Sequence, residues 1–311
     1  MKKILWVLLF LSMAPHAMAC DICGFYLGIQ PHDRTSSFGL YYRYRLLEGD
    51  MTANGFAKHG DAAAGPVAND HYKELYQVVE FRADMWLRER WAVMVSLPMA
   101  NNYQSLNGRT SADVYGMSDP LVLGRYLLAN TRCLSDSIRT VHRVLLGGGV
   151  KMPLGRTTAT YRGAVVEGDL QPGTGSWDLL FTAEYLVRHD RVGLSTNAIA
   201  RYNGRNSEQY ALGNGLSNTT ELFLRMDGRK LSWVPSVGVY MEFLTKDLQE
   251  SRTVEGTGGS TIYAHLGSRV WWRSWVLSAN YQYALGGHMG ALMVPNRERL
   301  ILGIAYNLNN N

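Results

Sequence analysis

Apolar and polar residues alternate one by one through much of this chain, a period of two that marks β-strands and not helices. From Ser37 onward, Phe38, Leu40, Tyr42, Tyr44 and Leu46 fall on one face and Gly39, Tyr41, Arg43 and Arg45 on the other. Phe81, Ala83, Met85 and Leu87 alternate with Glu80, Arg82, Asp84 and Trp86, and Trp91, Val93, Val95, Leu97 and Met99 form a third stripe. Further strands are predicted over Pro120–Leu128, Val141–Pro153, Trp177–Val187, Val192–Tyr202, Leu216–Arg225 and Leu231–Leu244. Thr261–Trp272, Trp275–Leu285 and Arg299–Leu308 bring the number to twelve. One face of each would suit hydrocarbon, and the other carries charges or small residues.

These strands are nearer the roughly nine to eleven residues that cross a bilayer at a tilt than the five or six usual in a soluble sandwich. The connections alternate in length as well. Arg88–Arg90, Arg188–Arg191, Met226–Lys230 and Arg273-Ser274 are short, whereas 49–69, 101–117, 155–175, 203–215, 245–259 and 286–296 are long. Short turns at one end and long loops at the other predict an all-β fold: a transmembrane antiparallel up-and-down β-barrel of about twelve strands, with periplasmic turns and outer loops. Strands in lipid must close, because an open edge would leave backbone groups unpaired. Trp86, Trp91, Trp233, Trp271, Trp272 and Trp275 all fall beside the short turns, as an interfacial girdle requires, and Tyr42, Tyr185, Tyr202, Tyr281 and Tyr283 fall on lipid faces.

Composition refines this picture. The 311 residues are 46% hydrophobic, 18% charged and 11% aromatic, which excludes a disordered chain. No internal apolar run reaches the roughly 20 residues of a spanning helix, so only strands could cross a membrane. Met1-Lys2-Lys3, an apolar run from Ile4 to Met13 and Ala17-Met18-Ala19 predict a signal peptide over 1–19. A periplasmic segment, 20–34, and a barrel, 35–311, would follow in the outer membrane of a Gram-negative cell. Lys2 and Lys3 belong to the 31 basic side chains that give +5 against 26 acidic ones; without them the balance is +3, too mild for a nucleic-acid partner.

Gly116-Met117-Ser118-Asp119-Pro120, the run Gly147–Gly155 and Leu170-Gln171-Pro172-Gly173-Thr174-Gly175-Ser176-Trp177-Asp178 resemble the outer-membrane barrels labelled as the phenol meta-pathway, or transporter-type, family. Tyr210–Asn214 resembles a weaker signature of it, and Cys20-Asp21-Ile22-Cys23-Gly24 is similar to a subgroup that begins with a Cys-Asp-x-Cys-Gly element. The resemblance implies the fold and an outer-membrane transport role, with no substrate carried over. Unlike many such barrels the chain does not end on an aromatic residue, closing instead with Asn309-Asn310-Asn311.

Selectivity in a barrel is set on the inward face. That face is predicted to carry Arg43, Arg45, Arg82, Arg143, Lys151, Arg201, Arg225, Arg269 and Arg299 against Glu80, Asp84, Asp178, Glu184, Glu221 and Glu242. Two functions fit: passive passage of small solutes, or a non-conducting barrel filled by ion pairs whose amino-terminal segment or outer loops engage a partner or a soft metal. Inward Gly39, Gly147, Gly149, Gly193, Gly238, Gly267 and Gly303 would leave room for solute, but most are expected to receive rings such as Tyr240 or Tyr263 from neighbouring strands, or to permit curvature.

Cys20, Cys23 and Cys133 are all predicted at the periplasmic side. A disulfide, lipidation of Cys20 that leaves Cys23 to pair with Cys133, and a soft-metal site on Cys20 and Cys23 stay open. His32 could assist such a metal; His288, Met289 and Met293 lie across the membrane from it. His142 and the inward His265 have no serine in an activating motif, and no phosphate-binding loop occurs. No enzyme and no cofactor are expected; the expected partners are outer-membrane lipid, small solutes and a periplasmic protein at the amino-terminal segment.

Overall fold

The computed structural model describes residues 35–51, 70–131, 139–254, 257–289 and 295–308. Twelve strands form the ring: β1 (Ser36–Met51), β2 (Asp70–Trp86), β3 (Trp91–Leu106), β4 (Leu121–Asn130), β5 (Thr140–Lys151), β6 (Asp178–His189), β7 (Val192–Asn203), β8 (Gly215–Leu224), β9 (Leu231–Leu244), β10 (Gly259–Trp272), β11 (Trp275–Met289) and β12 (Asn296–Leu308). Each pairs antiparallel with its neighbours in the chain, and β1 pairs with β12 from Ser36↔Leu308 to Leu47↔Asn296, so the sheet has no free edge. Among the described residues there are short strands beyond the ring and no helices.

The period of two is realised as two walls. Leu40, Val79, Phe81, Met99, Phe181, Leu222, Leu266 and Leu302 are exposed outward, an apolar belt larger than a soluble monomer shows. Glu80, Arg82, Asp84, Glu184, Glu221 and Arg269 are buried inside. Strands of 10 to 17 residues meet or exceed the roughly 9–11 residues needed to cross hydrocarbon, and the excess extends β1, β2 and β3 at the long-loop end. The tightest turns, Asp190-Arg191 and Arg273-Ser274, place Asp190 and Arg273 at positive φ (48° and 55°), as two-residue hairpins of matching twist require.

Several expectations are corrected. The predicted loop 101–117 is instead the continuation of β3, a two-residue Asn107-Gly108 turn with both φ positive, and a returning strand, Arg109–Met117. Trp271 points inward and is buried against Leu186, Phe223 and Val234; Trp91, Trp233, Trp272 and Trp275 are exposed on the outer wall, and Trp86 is half-buried on the parity of Arg82 and Asp84. Leu46 is buried rather than exposed to lipid; beside it the β1–β12 register shifts, with Leu46 opposing Glu298 and Leu47 opposing Asn296. Tyr240 and Tyr263 pack on each other. The rings that do occupy glycine positions are Phe223 over Gly193 and Tyr41 over Gly303.

Candidate functional site

The returning strand and β4 would be one strand but for Ser118-Asp119-Pro120. Met117 faces Met99 and Leu121 faces Ser96, so these three residues oppose only Leu97 and Pro98. Such an extra residue bends the strand and re-aims a side chain. Here it directs Asp119 toward the segment 152–177, which folds across the mouth of the barrel.

Asp119 holds both ends of that segment. Its Oδ1 accepts the Gly155 N–H at 2.9 Å, and its Oδ2 accepts the Thr174 N–H at 2.8 Å and the Thr174 hydroxyl at 2.7 Å. Lys151 Nζ reaches the same Oδ2 at 2.9 Å and Asp178 at 2.7 Å. Burial would raise the Asp119 carboxyl, but Lys151 and the Thr174 donors outweigh it and hold the group below its ordinary range. Gly155 and Gly173 run so close that a Cβ on Gly155 would stand 2.7 Å from the Gly173 Cα, which is why neither position accepts a side chain.

Between these anchors the segment seats on the inward faces of the extended strands. Leu170, 1% exposed, packs among Leu47, Tyr72, Tyr76 and Ala112. Asn102 Nδ2 donates to the Leu170 carbonyl at 2.9 Å, and Gln171 clasps the Ala159 N–H and the Ala159 and Val166 carbonyls. Asp169 is buried near Glu74 and Glu167; burial first, then those two carboxylates, push its carboxyl up to about 8. Glu74 itself accepts from the Tyr76 hydroxyl at 3.0 Å and from Gln104 at 3.2 Å.

Under this roof lies a cavity of about 100 Å³. Pro172 and Thr174 cover it, Leu121, Leu180 and Ile199 form one wall, and Arg43, Lys151 and Arg201 reach it from β1, β5 and β7. The apolar wall continues into a buried cluster with Met94 and Leu123.

Toward the short-turn end the interior of the barrel is occupied by buried ion pairs. Glu80 lies 3.4 Å from Arg43 and 2.8 Å from Arg82, and Asp84 pairs with Arg125. Arg143 pairs with Glu184, and Glu221 lies 3.3 Å from His265, whose Nδ1 meets Gln282 at 3.0 Å. Near the mouth Glu242 stands between Arg45 (3.6 Å) and Arg299 (3.7 Å), with the Arg299 guanidinium stacked 4.5 Å over the Tyr240 ring. Buried charges persist only when paired in this way. Arg225 stands apart from them: β8 ends at Leu224, and Asp227 two residues on takes the Arg225 guanidinium at 2.9 Å in the turn.

Sequence parity missed Asp119, Arg125, Glu74 and Asp169 as site residues. Arg125 lies on a face whose other inward residues are Leu121, Leu123 and Leu127, so β4 carried no clear polar side. His142 meets the Tyr185 hydroxyl at 2.9 Å on the outer wall, 43 residues away in sequence, with no serine in that hydrogen bond. Cys20, Cys23, Cys133, His32 and Met293, and the side chains of His288 and Met289, lie outside the described residues, as does the predicted signal peptide. Among the described residues no cluster of His, Cys, Asp and Glu is arranged to hold a metal.

Neither a protein-family model nor a curated protein matches the sequence. The fold is similar to that of an outer-membrane channel from Pseudomonas putida F1, with a TM-score of 0.57 and 14% identity over 90% of this chain and 100% of that one. It is also similar to the β domain of the Bordetella autotransporter Brka, with a TM-score of 0.51 and 12% identity over 89% of this chain and 100% of that one. At these identities the likeness is one of architecture: the chain has the fold of bacterial outer-membrane β-barrels.

Proposed function

We propose that this protein sits in the outer membrane as a channel for passive passage of small solutes, with the segment 152–177 as its movable roof, and that it belongs with the phenol meta-pathway or transporter-type barrels its motifs resemble. The observation that carries this reading is the cavity beneath that roof. A barrel filled only for strength would fill this space as the ion pairs fill the interior around Glu80, Asp84 and Arg143, since a void forfeits contacts. The three stretches that carry the resemblance meet here: Asp119 from the first, Lys151 and Gly155 from the second, Gly173, Thr174 and Asp178 from the third. The fold likeness to an outer-membrane channel supports the same reading.

A non-conducting barrel is the second reading, favoured by the ion pairs buried in the interior below the cavity. On that reading the amino-terminal segment would serve a periplasmic partner. Planar-bilayer conductance and liposome swelling with the purified folded chain decide between them. Discrete conductance steps and solute entry are expected; a folded protein that gives neither would overturn passage.

A further inference from the structure

The turns at the end opposite the roof carry an excess of one sign of charge. From the foot of β5 to the foot of β9 the described turn residues include Arg139, Arg188, Arg191, Arg225, Arg229 and Lys230, against two carboxylates, Asp190 and Asp227. Asp190 lies 3.6 Å from His189, and Asp227 takes Arg225 at 2.9 Å. Backbone hydrogen bonds make these turns one surface: the Asp190 N–H donates to the Arg139 carbonyl at 3.0 Å, and the Arg225 N–H to the Arg191 carbonyl at 2.7 Å. Arg139, Arg191, Arg229 and Lys230 are exposed on it. The rim by the long loops is of mixed sign: Glu48 and Asp50 flank His71 there, and the Tyr281 hydroxyl donates to Glu298 at 2.8 Å. Tryptophans set the height of the basic arc against a bilayer. Trp91 and Trp272, exposed on the outer wall, adjoin Arg90 and Arg273 in the chain, and the exposed Trp233 closely follows Lys230. The Arg273 guanidinium lies 5.5 Å over the Trp272 ring. Exposed indoles sit at headgroup level, so cations just beyond them stand at the depth of lipid phosphates.

We infer that this arc binds the headgroups of anionic phospholipids, such as phosphatidylglycerol, in the leaflet that the short turns face. A guanidinium meets two phosphate oxygens with parallel N–H groups, and a cluster of basic side chains at a membrane surface concentrates anionic lipid. A zwitterionic headgroup brings its own cation to the arc and gains less. An acidic soluble protein would meet the same charge, but continuity with the indole belt favours a ligand that presents phosphate and hydrocarbon together. The inference rests on the barrel's place in a bilayer and is independent of solute passage.

The girdle tryptophans report on this directly. Their fluorescence is measured for the folded full-length chain in phosphatidylcholine bilayers, with brominated phosphatidylglycerol or brominated phosphatidylcholine as the quencher, which gives the relative affinity of the two lipids. A preference for phosphatidylglycerol of at least about threefold is expected at low salt. It should fall toward equality at about 1 M salt, where the screening length is about 3 Å. Joint substitution of Arg139, Arg191, Arg229 and Lys230 by Gln should abolish the preference, and Arg229→Gln with Lys230→Gln should remove about half of it. Joint substitution of Arg109, Arg162 and Arg252, exposed at the long-loop end, by Gln should leave it unchanged. Retained heat-modifiable mobility shows that each variant is folded. Equal quenching of the parent by the two lipids, a preference that survives in the folded short-turn variants, or one lost equally in the long-loop variant would overturn the site. Equal quenching accompanied by saturable binding of polyglutamate would assign the arc to an acidic protein instead. Any of these failures leaves passage standing, and absence of conductance leaves the lipid preference standing.

Discussion

Lys151 and Asp119 meet at 2.9 Å where the roof segment leaves and rejoins the barrel. Lys151 is the last residue of β5, and Asp119 is presented by the interruption between the returning strand and β4. The pair therefore ties the wall to both ends of the roof in one place, through Gly155 and Thr174.

Asp119→Ala removes the acceptor for two backbone N–H groups and one of the two carboxylates on Lys151. Loss of the seat should cost roughly 3 kcal/mol locally. Faster proteolysis within 152–177 and larger conductance are expected, with the thermal unfolding of the barrel little changed. A variant whose roof is cut no faster than the parent's would refute the latch.

The roof should also loosen with rising pH. The Asp169 carboxyl has its pKa raised from 3.8 to about 8 by burial beside Glu74 and Glu167. A raised pKa means that the seated state holds its proton more tightly than the released state. The seat is thus fully stable below about pH 4 and weakens until about pH 8, where both states are ionised. Conductance recorded between these limits should rise with pH, and Asp169→Asn should flatten the profile and lower the conductance at pH 7. A profile that stays steep in Asp169→Asn assigns the titration to another group.

Glu242 is the shared counter-ion of Arg45 and Arg299. Glu242→Gln leaves two buried guanidinium groups facing one neutral amide, and destabilisation of about 3–5 kcal/mol is expected. Denaturant unfolding of the detergent-solubilised barrel measures it. The double variant Glu242→Gln with Arg45→Gln should recover much of that loss; no recovery would mean that the charge balance is not what Glu242 supplies.

Trp271 and Phe223 are buried in one cluster inside the barrel at the end opposite the roof. Trp271→Ala should cost about 3–5 kcal/mol and widen that end. On the passage reading, with this cluster and the roof in series, it should raise conductance little by itself and markedly when combined with Asp119→Ala. An equal rise in the single variant would show that the roof limits nothing.

The barrel was legible in the sequence because hydrocarbon outside and charge inside impose opposite demands on alternate residues. Phe81 and Arg82 illustrate it, adjacent in the chain and on opposite walls. Where that contrast fades, legibility fades with it. Asn101, Asn102, Gln104 and Ser105 lie in the extended part of β3, so no alternation marks it as a strand; Asn107-Gly108 was the turn signal available. The roof latch could not be read at all, since Asp119 finds its partners 32, 36 and 55 residues away. Local patterns carry no record of such distances, whereas the ion-paired lumen needed only parity.

The pairing of Ser36–Leu47 with Asn296–Leu308 has a consequence for how the molecule comes into being. The seam joins the first strand of the ring to the last one synthesised, a loop closure that spans nearly the entire barrel sequence and carries a correspondingly large entropic barrier. Until β12 is available, β1 and the most recent strand each present a row of unsatisfied amides that hydrocarbon will not tolerate. Pairing of this seam is therefore the step that completes the barrel: a ring without its final strand would leave two open edges, which hydrocarbon penalises.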